Sequence, residues 1–222
     1  MLYLPSGPPT EGHLDFTQKL DFSESSRLLF TARLSSPSLP DPIPVLVKLV
    51  RQQYGEDVHR LLATHSLAPV LYAYACPEGA PRAYVMEYLQ PSSWKTLFKY
   101  AVSSGISGTS ESAASIQRSL DKVLDILEKN GKVHGDLRSA NIMVNVSQTG
   151  ELVLLDDGPE RRRADLRVVD FDWSGDAGKV CYSPLRNVDI AGITWPGKPG
   201  GPIELGHDRS LVYLWYPMSQ IA

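Results

Sequence analysis

The stretch that decides the fold reads His134-Gly135-Asp136-Leu137-Arg138-Ser139-Ala140-Asn141. It follows a strong helical pattern, in which apolar residues recur three and four positions apart, and it precedes a short apolar strand at residues 142–146. The sequence therefore predicts a loop with a histidine, an aspartate and an asparagine at the spacing H-x-D-x-x-x-x-N. This spacing is typical of phosphoryl transfer, in which an aspartate accepts a proton from the attacking hydroxyl and an asparagine binds the metal that holds the phosphates.

The composition is that of an ordinary globular protein. The chain has 222 residues, of which 42% are hydrophobic and 21% charged, and its net charge of −3 does not favour nucleic acid as a partner. Cys76 and Cys181 lie far apart and indicate no disulfide framework. Because there is no secretory signal and no apolar stretch of membrane-spanning length, we expect an intracellular protein, cytoplasmic or nuclear, without a membrane partner.

The first part of the chain favours strands. A hairpin is predicted from residues 13–20 and 27–34, and its polar turn at residues 21–26 contains no glycine. The next strand, residues 44–50, is apolar on both faces, and Lys48 is its only charge. Since a buried lysine is rare without a partner, Lys48 is a candidate functional residue; the alternative is a lysine at the strand edge whose amine reaches water.

Helices and strands alternate in the next part of the chain. Tyr54, Val58, Leu61 and Leu62 form an apolar stripe that predicts a helix at residues 54–66. Two more strands are predicted at residues 70–75 and 83–88. An amphipathic helix that includes Trp94, a Gly/Ser-rich loop at residues 103–112 and the long helix before the loop come next.

A metal site needs one more acid after Asn141, and two strands that end in an acid compete for this role. One strand ends at Asp156, and the other ends in D-F-D with Asp170 and Asp172. In an extended segment Asp170 and Asp172 share a face at roughly 7 Å, and two such carboxylates suit Mg²⁺. We favour Asp170; Asp156 remains the alternative, and on this interpretation residues 156–164 form a hairpin insertion.

The motifs H-G-D-L-R-x-x-N and D-F-D-W resemble those of the protein-kinase-like superfamily, and most closely those of fungal-type protein-kinase-like domains. The resemblance covers roughly residues 48–183. It implies an α+β, two-lobed fold: residues 1–90 would form an N-lobe with an antiparallel sheet plus one helix, and residues 91–222 a reduced helical C-lobe. H-G-D and D-F-D also occur among small-molecule kinases of the aminoglycoside and choline kinase type.

The resemblance implies ATP and Mg²⁺ as cofactors and assigns roles around the loop. Asp136 would be the catalytic base, and Arg138 would face the transferred phosphate. Asn141 and Asp170 would bind the metal, with Asp172 assisting.

It also assigns roles in nucleotide binding. Lys48 would hold the phosphates, paired with an acid of the helix at residues 54–66. Glu56 is the candidate by residue type, but it lies opposite the apolar stripe, so Asp57 is the alternative, and the acid is otherwise missing. The hinge that contacts adenine would include Met86, Glu87 and Leu89.

Three functions are compatible with this sequence. The first is an ATP- and Mg²⁺-dependent phosphotransferase with an acceptor protein or small molecule that the sequence does not name. The second is a pseudokinase that binds or scaffolds without catalysis, which the missing glycine-rich loop and the short region after Asp172 favour. The third is a small-molecule kinase.

Overall fold

The computed structural model describes residues 12–20, 28–51, 53–76, 78–104, 110–156, 158, 162–186 and 194–216. The chain forms two compact units. The first consists of Met1–Gln53 and Pro69–Leu89, and the second of Tyr54–Ala68 and Gln90–Ala222. The predicted turn at residues 21–26 lies outside the described residues, as do residues 105–109 of the predicted Gly/Ser-rich loop.

The first unit is an antiparallel sheet with the strand order β1-β2-β3-β5-β4. Its strands are β1 (His13–Leu20), β2 (Leu28–Ser35), β3 (Ile43–Val50), β4 (Leu71–Ala75) and β5 (Arg82–Glu87). β3 lies in the middle because its run of β-branched and aliphatic residues suits a strand with neighbours on both sides. Val45 and Val47 of β3 are fully buried and pack with Ala73 and Val85.

The second unit contains four described helices and short strand pairs. The helices are α1 (Glu56–Thr64), α2 (Leu97–Ser104), α3 (Glu111–Lys129) and α4 (His207–Trp215). The strands are β6 (Trp94–Thr96), β7 (Lys132–Val133), β8 (Ile142–Asn145), β9 (Leu154–Leu155), β10 (Arg163–Ala164), β11 (Leu166–Val168) and β12 (Gly175–Asp176). They pair antiparallel as β11-β8-β6, β10-β9 and β12-β7.

Helix α3 is the centre of the second unit. The Ser110 hydroxyl caps it by accepting a hydrogen bond from the Ala113 amide at 3.2 Å. Its buried apolar face includes Ile116, Leu120, Val123, Leu124 and Leu127. Each of these side chains contributes about 1.5–3 kcal/mol by leaving water. The helix ends at Asn130-Gly131, where Gly131 takes a φ of 63°, the left-handed turn that glycine adopts without strain. This turn feeds the chain into β7 and the loop at residue 134.

The α+β prediction is confirmed, with two local differences. Helix α1 packs in the second unit through Val58 and Leu62. Trp94 begins strand β6 rather than a helix, because it pairs with Asn145 of β8. The strand before Asp170 ends at Val168, so residues 170–172 are not part of a strand. The expectation that Asp170 and Asp172 share a face of an extended segment is therefore wrong.

Two further observations concern the whole described chain. Cys76 and Cys181 are both free and exposed. None of the helices in the part of the chain that the structure describes combines the length and apolarity needed to cross a bilayer.

Candidate active site

The loop at residues 134–141 is buried and tightly hydrogen-bonded. It leaves β7, makes a single 3-10 turn at Ser139–Asn141, and enters β8 at Ile142. Gly135 takes a φ of 82°, and a Cβ there would lie 2.6 Å from Ile203 Cδ1 and 3.2 Å from the Trp173 carbonyl oxygen. Glycine is therefore required both for the backbone conformation and for the close packing.

The Asp136 carboxylate, with 7% of the residue exposed, is held from two sides. Asn141 Nδ2 donates to Asp136 Oδ2 at 2.7 Å and to the Asp136 carbonyl at 2.9 Å. Arg138 Nε lies 2.8 Å from Asp136 Oδ1, but the two atoms are not aligned as a hydrogen bond. Asp136 Oδ1 is shielded from solvent and, among the described residues, accepts no hydrogen bond, so its capacity to accept one is unused.

Burial raises the pKa of Asp136 to about 6, because the charged form loses its water. Arg138 and the Asn141 hydrogen bond oppose this rise, while the negative charge of Asp170 adds to it. The effect of Asp170 places the two carboxylates within electrostatic reach of each other. A pKa near 6 suits a base that works at neutral pH.

Asp208 of α4 anchors the loop, and our sequence analysis missed it. Its carboxylate accepts the His134 amide at 2.6 Å and the Gly135 amide at 2.9 Å. Trp215, two turns further along α4, donates its indole N–H to the Leu137 carbonyl at 3.1 Å. A signal for Asp208 exists, because it lies on the buried stripe of its helix with Leu211, Val212 and Trp215.

Phe171 joins helix α1 to the loop through a stack of rings. The His59 and Phe171 rings stack with centroids 4.4 Å apart, and the His134 ring meets Phe171 edge-on at 5.2 Å. The Tyr54 hydroxyl contacts His59 Nδ1 at 2.7 Å, and the Gly55 amide donates to the Phe171 carbonyl at 2.8 Å. The segment that carries Asp170 is thereby fixed on both sides.

The two candidate metal acids lie in different surroundings. Asp170 directly follows Val169, whose amide donates to the Asn141 carbonyl at 2.9 Å, and it adopts a φ of 72°, which is uncommon for a residue with a side chain. Asp172 begins the turn that follows and is half-buried. Asp156 is exposed at the start of the connection between β9 and β10, where it accepts the Gly158 amide at 3.0 Å.

The donor set near the loop fits a hard divalent cation. The carboxylates of Asp136 and Asp170 lie within electrostatic reach of each other. The Asn141 amide directs its N–H₂ to Asp136, which leaves the amide oxygen as its remaining acceptor. Mg²⁺ binds to proteins through one or two carboxylates, with phosphates and waters completing its octahedron. Within the described residues there is no cluster of three or more His, Cys, Asp or Glu side chains suited to a metal.

The two candidate helix acids already have cationic partners in the second unit. Glu56 binds Arg60 one turn along α1, with Oε1 2.7 Å from Nη2 and 2.9 Å from Nε. Asp57 binds Lys132, which also contacts Asp176 at 2.6 Å.

In the first unit, Lys48 is 7% exposed on β3, between Leu29 of β2 and Tyr84 of β5. The predicted hinge follows at the end of β5. Met86 is buried, and Leu89 is half-buried. Glu87 Oε2 accepts the Val70 amide at 3.1 Å, and the Glu87 amide donates to the Val70 carbonyl at 2.8 Å, so the Glu87 side chain stabilises strand pairing.

No family model and no curated protein sequence matches the chain. Among solved structures, the chain resembles the twitchin kinase fragment of C. elegans, an autoregulated protein kinase with immunoglobulin domains, with a TM-score of 0.54, 16% identity, and coverage of 85% of this chain and 40% of that chain. It also resembles the Cydia pomonella granulovirus kinase, with a TM-score of 0.46, 20% identity, and coverage of 74% of this chain and 53% of that chain. The chain thus spans about half, or less, of the length of these kinases. The likeness to the twitchin kinase shows that the chain has a protein-kinase-like fold.

Proposed function

We propose that the chain is an ATP- and Mg²⁺-dependent phosphotransferase in which Asp136 is the catalytic base for an acceptor hydroxyl. One observation carries the proposal: a buried carboxylate with a pKa of about 6 is held by Asn141 beside Asp170, with one oxygen left without a hydrogen bond. The motifs around it are also the part of the sequence that resembles fungal-type protein-kinase-like domains.

In this mechanism Asp136 Oδ1 accepts the proton of the acceptor hydroxyl as the oxygen attacks the terminal phosphate. Arg138 keeps the Asp136 carboxylate ionised and offers its guanidinium to the transferred phosphate. Asn141 and Asp170 would hold Mg²⁺, with Asp172 assisting, and the metal supplies charge neutralisation at the phosphates. Catalysis then comes from positioning and electrostatics rather than from a covalent intermediate.

Nucleotide binding is assigned to residues of the first unit. Lys48 would contact the phosphates, and the backbone near Met86, Glu87 and Leu89 would contact adenine. The Glu87 side chain and amide are both bonded to Val70, so this role falls to the other main-chain groups of the segment. Glu56, which also binds Arg60, would support Lys48.

The test compares Asp136→Asn with the parent in ATP binding and in phosphoryl transfer. Because the base acts on the acceptor, we expect nearly unchanged ATP affinity and a loss of turnover of about 10²–10⁴-fold. Asp125→Asn, at an exposed carboxylate that pairs with Arg209, is the matched control and should keep the parent's activity. Full turnover by Asp136→Asn would contradict the assignment.

A pseudokinase is the second candidate, and one feature of the sequence favours it: the turn at residues 21–26, where kinases carry a glycine-rich loop, contains no glycine. ATP binding without turnover on protein, peptide and small hydroxyl acceptors would support this candidate over both a protein kinase and a small-molecule kinase.

A further inference from the structure

Three aromatic side chains form a cluster directly after the D-F-D-W motif. We call Trp173, Tyr182 and Trp195 the aromatic cage. Their ring centroids lie 6.1 Å (Trp173–Tyr182), 5.5 Å (Trp173–Trp195) and 5.9 Å (Tyr182–Trp195) apart, so each ring contacts the other two. Tyr182 is buried and its hydroxyl contacts His207 at 3.2 Å, while the two tryptophans are only partly buried.

The cage lies against the loop that carries Asp136. A Cβ built on Gly135 would be only 3.2 Å from Trp173 Cβ, so the loop backbone touches this wall of the cage. The negative charge of Asp136 also contributes to a raised pKa of Tyr182, although burial of the phenol is the larger cause. A group bound in the cage would therefore lie near the proposed base.

An arginine of the chain itself lies over two of the three rings of the cage. The Arg186 guanidinium carbon lies 4.6 Å from the Tyr182 centroid and 5.2 Å from the Trp195 centroid, both within cation–π range. Arg186 Nη2 donates to the Gly197 carbonyl. Gly197 must be glycine for this approach, because a Cβ there would lie 2.6 Å from Tyr182 Cε2.

Arg186 is poorly satisfied in this position. Its Nε and Nη1 atoms are shielded from solvent, and among the described residues neither has a hydrogen-bond partner. The described residues also contain no carboxylate that forms an ion pair with it, and burial lowers its pKa. Arg186 is half-buried, and its unmade hydrogen bonds weaken its hold on the cage, which favours replacement by another cation. The preceding Leu185 is 92% exposed and does not anchor the segment.

We propose that the aromatic cage is a binding site for a guanidinium group of the acceptor, and that Arg186 occupies it until the acceptor binds. This inference rests on the proposed phosphotransferase function. The ring faces suit any cation, but the Gly197 carbonyl requires an N–H donor. That requirement favours a guanidinium over a quaternary ammonium group. An arginine side chain of a peptide and a small guanidinium compound share this chemistry.

The test measures binding of N-acetyl-arginine amide to the full chain by calorimetry, without ATP. Arg186→Ala removes the internal competitor; if Arg186 fills the cage at least 90% of the time, the affinity should rise by about 10-fold or more. Lys198→Ala, which removes an exposed charge nearby, should bind as weakly as the parent. Adding Trp195→Ala to Arg186→Ala should abolish the gain. Equal affinity in Arg186→Ala and Lys198→Ala, with near-ultraviolet circular dichroism showing a folded protein, would overturn the proposal.

Two further comparisons complete the design. If Arg186→Ala does not fold, Arg186→Lys keeps the charge with fewer donors and should show a smaller gain in affinity; no gain would overturn the proposal. Tetramethylammonium and N-acetyl-lysine amide should bind Arg186→Ala less tightly than N-acetyl-arginine amide, and the reverse order would overturn the guanidinium assignment.

The acceptor's source follows from turnover. Phosphorylation of serine peptides with and without arginine, compared with that of a small guanidinium alcohol, shows which kind of acceptor the protein uses. For either kind, the parent should prefer the acceptor that carries a guanidinium. Loss of this preference in Trp195→Ala supports the site. The binding measurements use no ATP, so the two proposals can fail separately. If the cage does not bind a guanidinium, turnover that depends on Asp136 can still be observed. If the protein shows no turnover, guanidinium binding in the cage can still be measured.

Discussion

At the residue scale, the environment of Asp136 sets the pH range in which it can act. The carboxylate must be ionised to accept a proton, and its pKa in the free protein is about 6. We therefore predict that kcat/KM for the acceptor falls below pH 6 and reaches a plateau above pH 7. A pH series of turnover checks this, and a flat profile down to pH 5 would show that a different group is the base.

Gly135 and Gly131 provide a matched pair of substitutions. Both have positive φ, 82° and 63°, but a Cβ on Gly131 meets nothing within 4 Å, whereas one on Gly135 meets Ile203 and Trp173. We predict that Gly131→Ala lowers the free energy of unfolding by about 1–2 kcal/mol through backbone strain alone. Gly135→Ala should lose a further ~1–3 kcal/mol through overpacking. Denaturant titrations of both variants measure the difference; equal losses would mean that the loop relaxes freely.

Asp170 and Asp156 can be separated by the effect of Mg²⁺ on ATP binding. Asp170 lies within electrostatic reach of Asp136, whereas Asp156 is exposed and bound to the Gly158 amide. We predict that Asp170→Ala abolishes the gain in ATP affinity that Mg²⁺ gives, and that Asp156→Ala keeps it. Calorimetry with and without Mg²⁺ tests both variants, and the opposite result would restore Asp156 as the metal acid.

At the element scale, helix α4 positions the loop through Asp208, and this contact has a pH dependence. Burial raises the pKa of Asp208 to about 6, although the His134 and Gly135 amides oppose the rise. Because the folded-state pKa lies above that of an unfolded aspartate, the folded protein binds the proton more tightly. The stability that this proton contributes is complete below about pH 4 and is lost as the pH rises through about 6.

We predict that the free energy of unfolding of the parent decreases relative to that of Asp208→Asn between pH 4 and pH 7. Asparagine has one acceptor oxygen, so the variant also loses one of the two amide hydrogen bonds at every pH. Denaturant titrations across this range test the sign; a difference that is constant or grows with pH would contradict the raised pKa.

The elements themselves could be predicted largely from sequence, because local periodicity determines them. β1, β3 and α1 lie within about two residues of the expected bounds. What the sequence did not reveal depends on long-range partners. Trp94 is apolar at helical spacing, and only its pairing with Asn145 makes it part of a strand.

The candidate site also divides into local and long-range features. The H-x-D-x-x-x-x-N spacing could be recognised in the sequence because its residues are close together in the chain. Asp208 was missed because its partners, the His134 and Gly135 amides, carry no side-chain signal. The partner of Asp57, Lys132, is likewise distant in the chain. The pair of Glu56 and Arg60 differs, because its i, i+4 spacing on a helix is a local signal.

At the scale of the whole molecule, nucleotide binding should stabilise the fold. A ligand that binds only the folded chain adds about 2.7 kcal/mol when present at 100 times its Kd. We predict that ATP with Mg²⁺ raises the Tm, that ATP alone raises it less, and that Lys48→Ala reduces both shifts. Differential scanning calorimetry measures this, and no shift in either condition would contradict the kinase and pseudokinase proposals together.

The contacts of α4 with the loop have a consequence for how the protein is made. The hydrogen bonds from His134 to Asp208 and from Trp215 to Leu137 join residues 74 and 78 positions apart in the chain. At a translation rate of roughly 5–20 residues per second, the loop is synthesised roughly 4–15 s before its anchor. A nascent chain therefore carries the loop at residues 134–141 without its anchor until α4 leaves the ribosome, and slow codons between residues 141 and 207 would lengthen that interval without changing the finished protein.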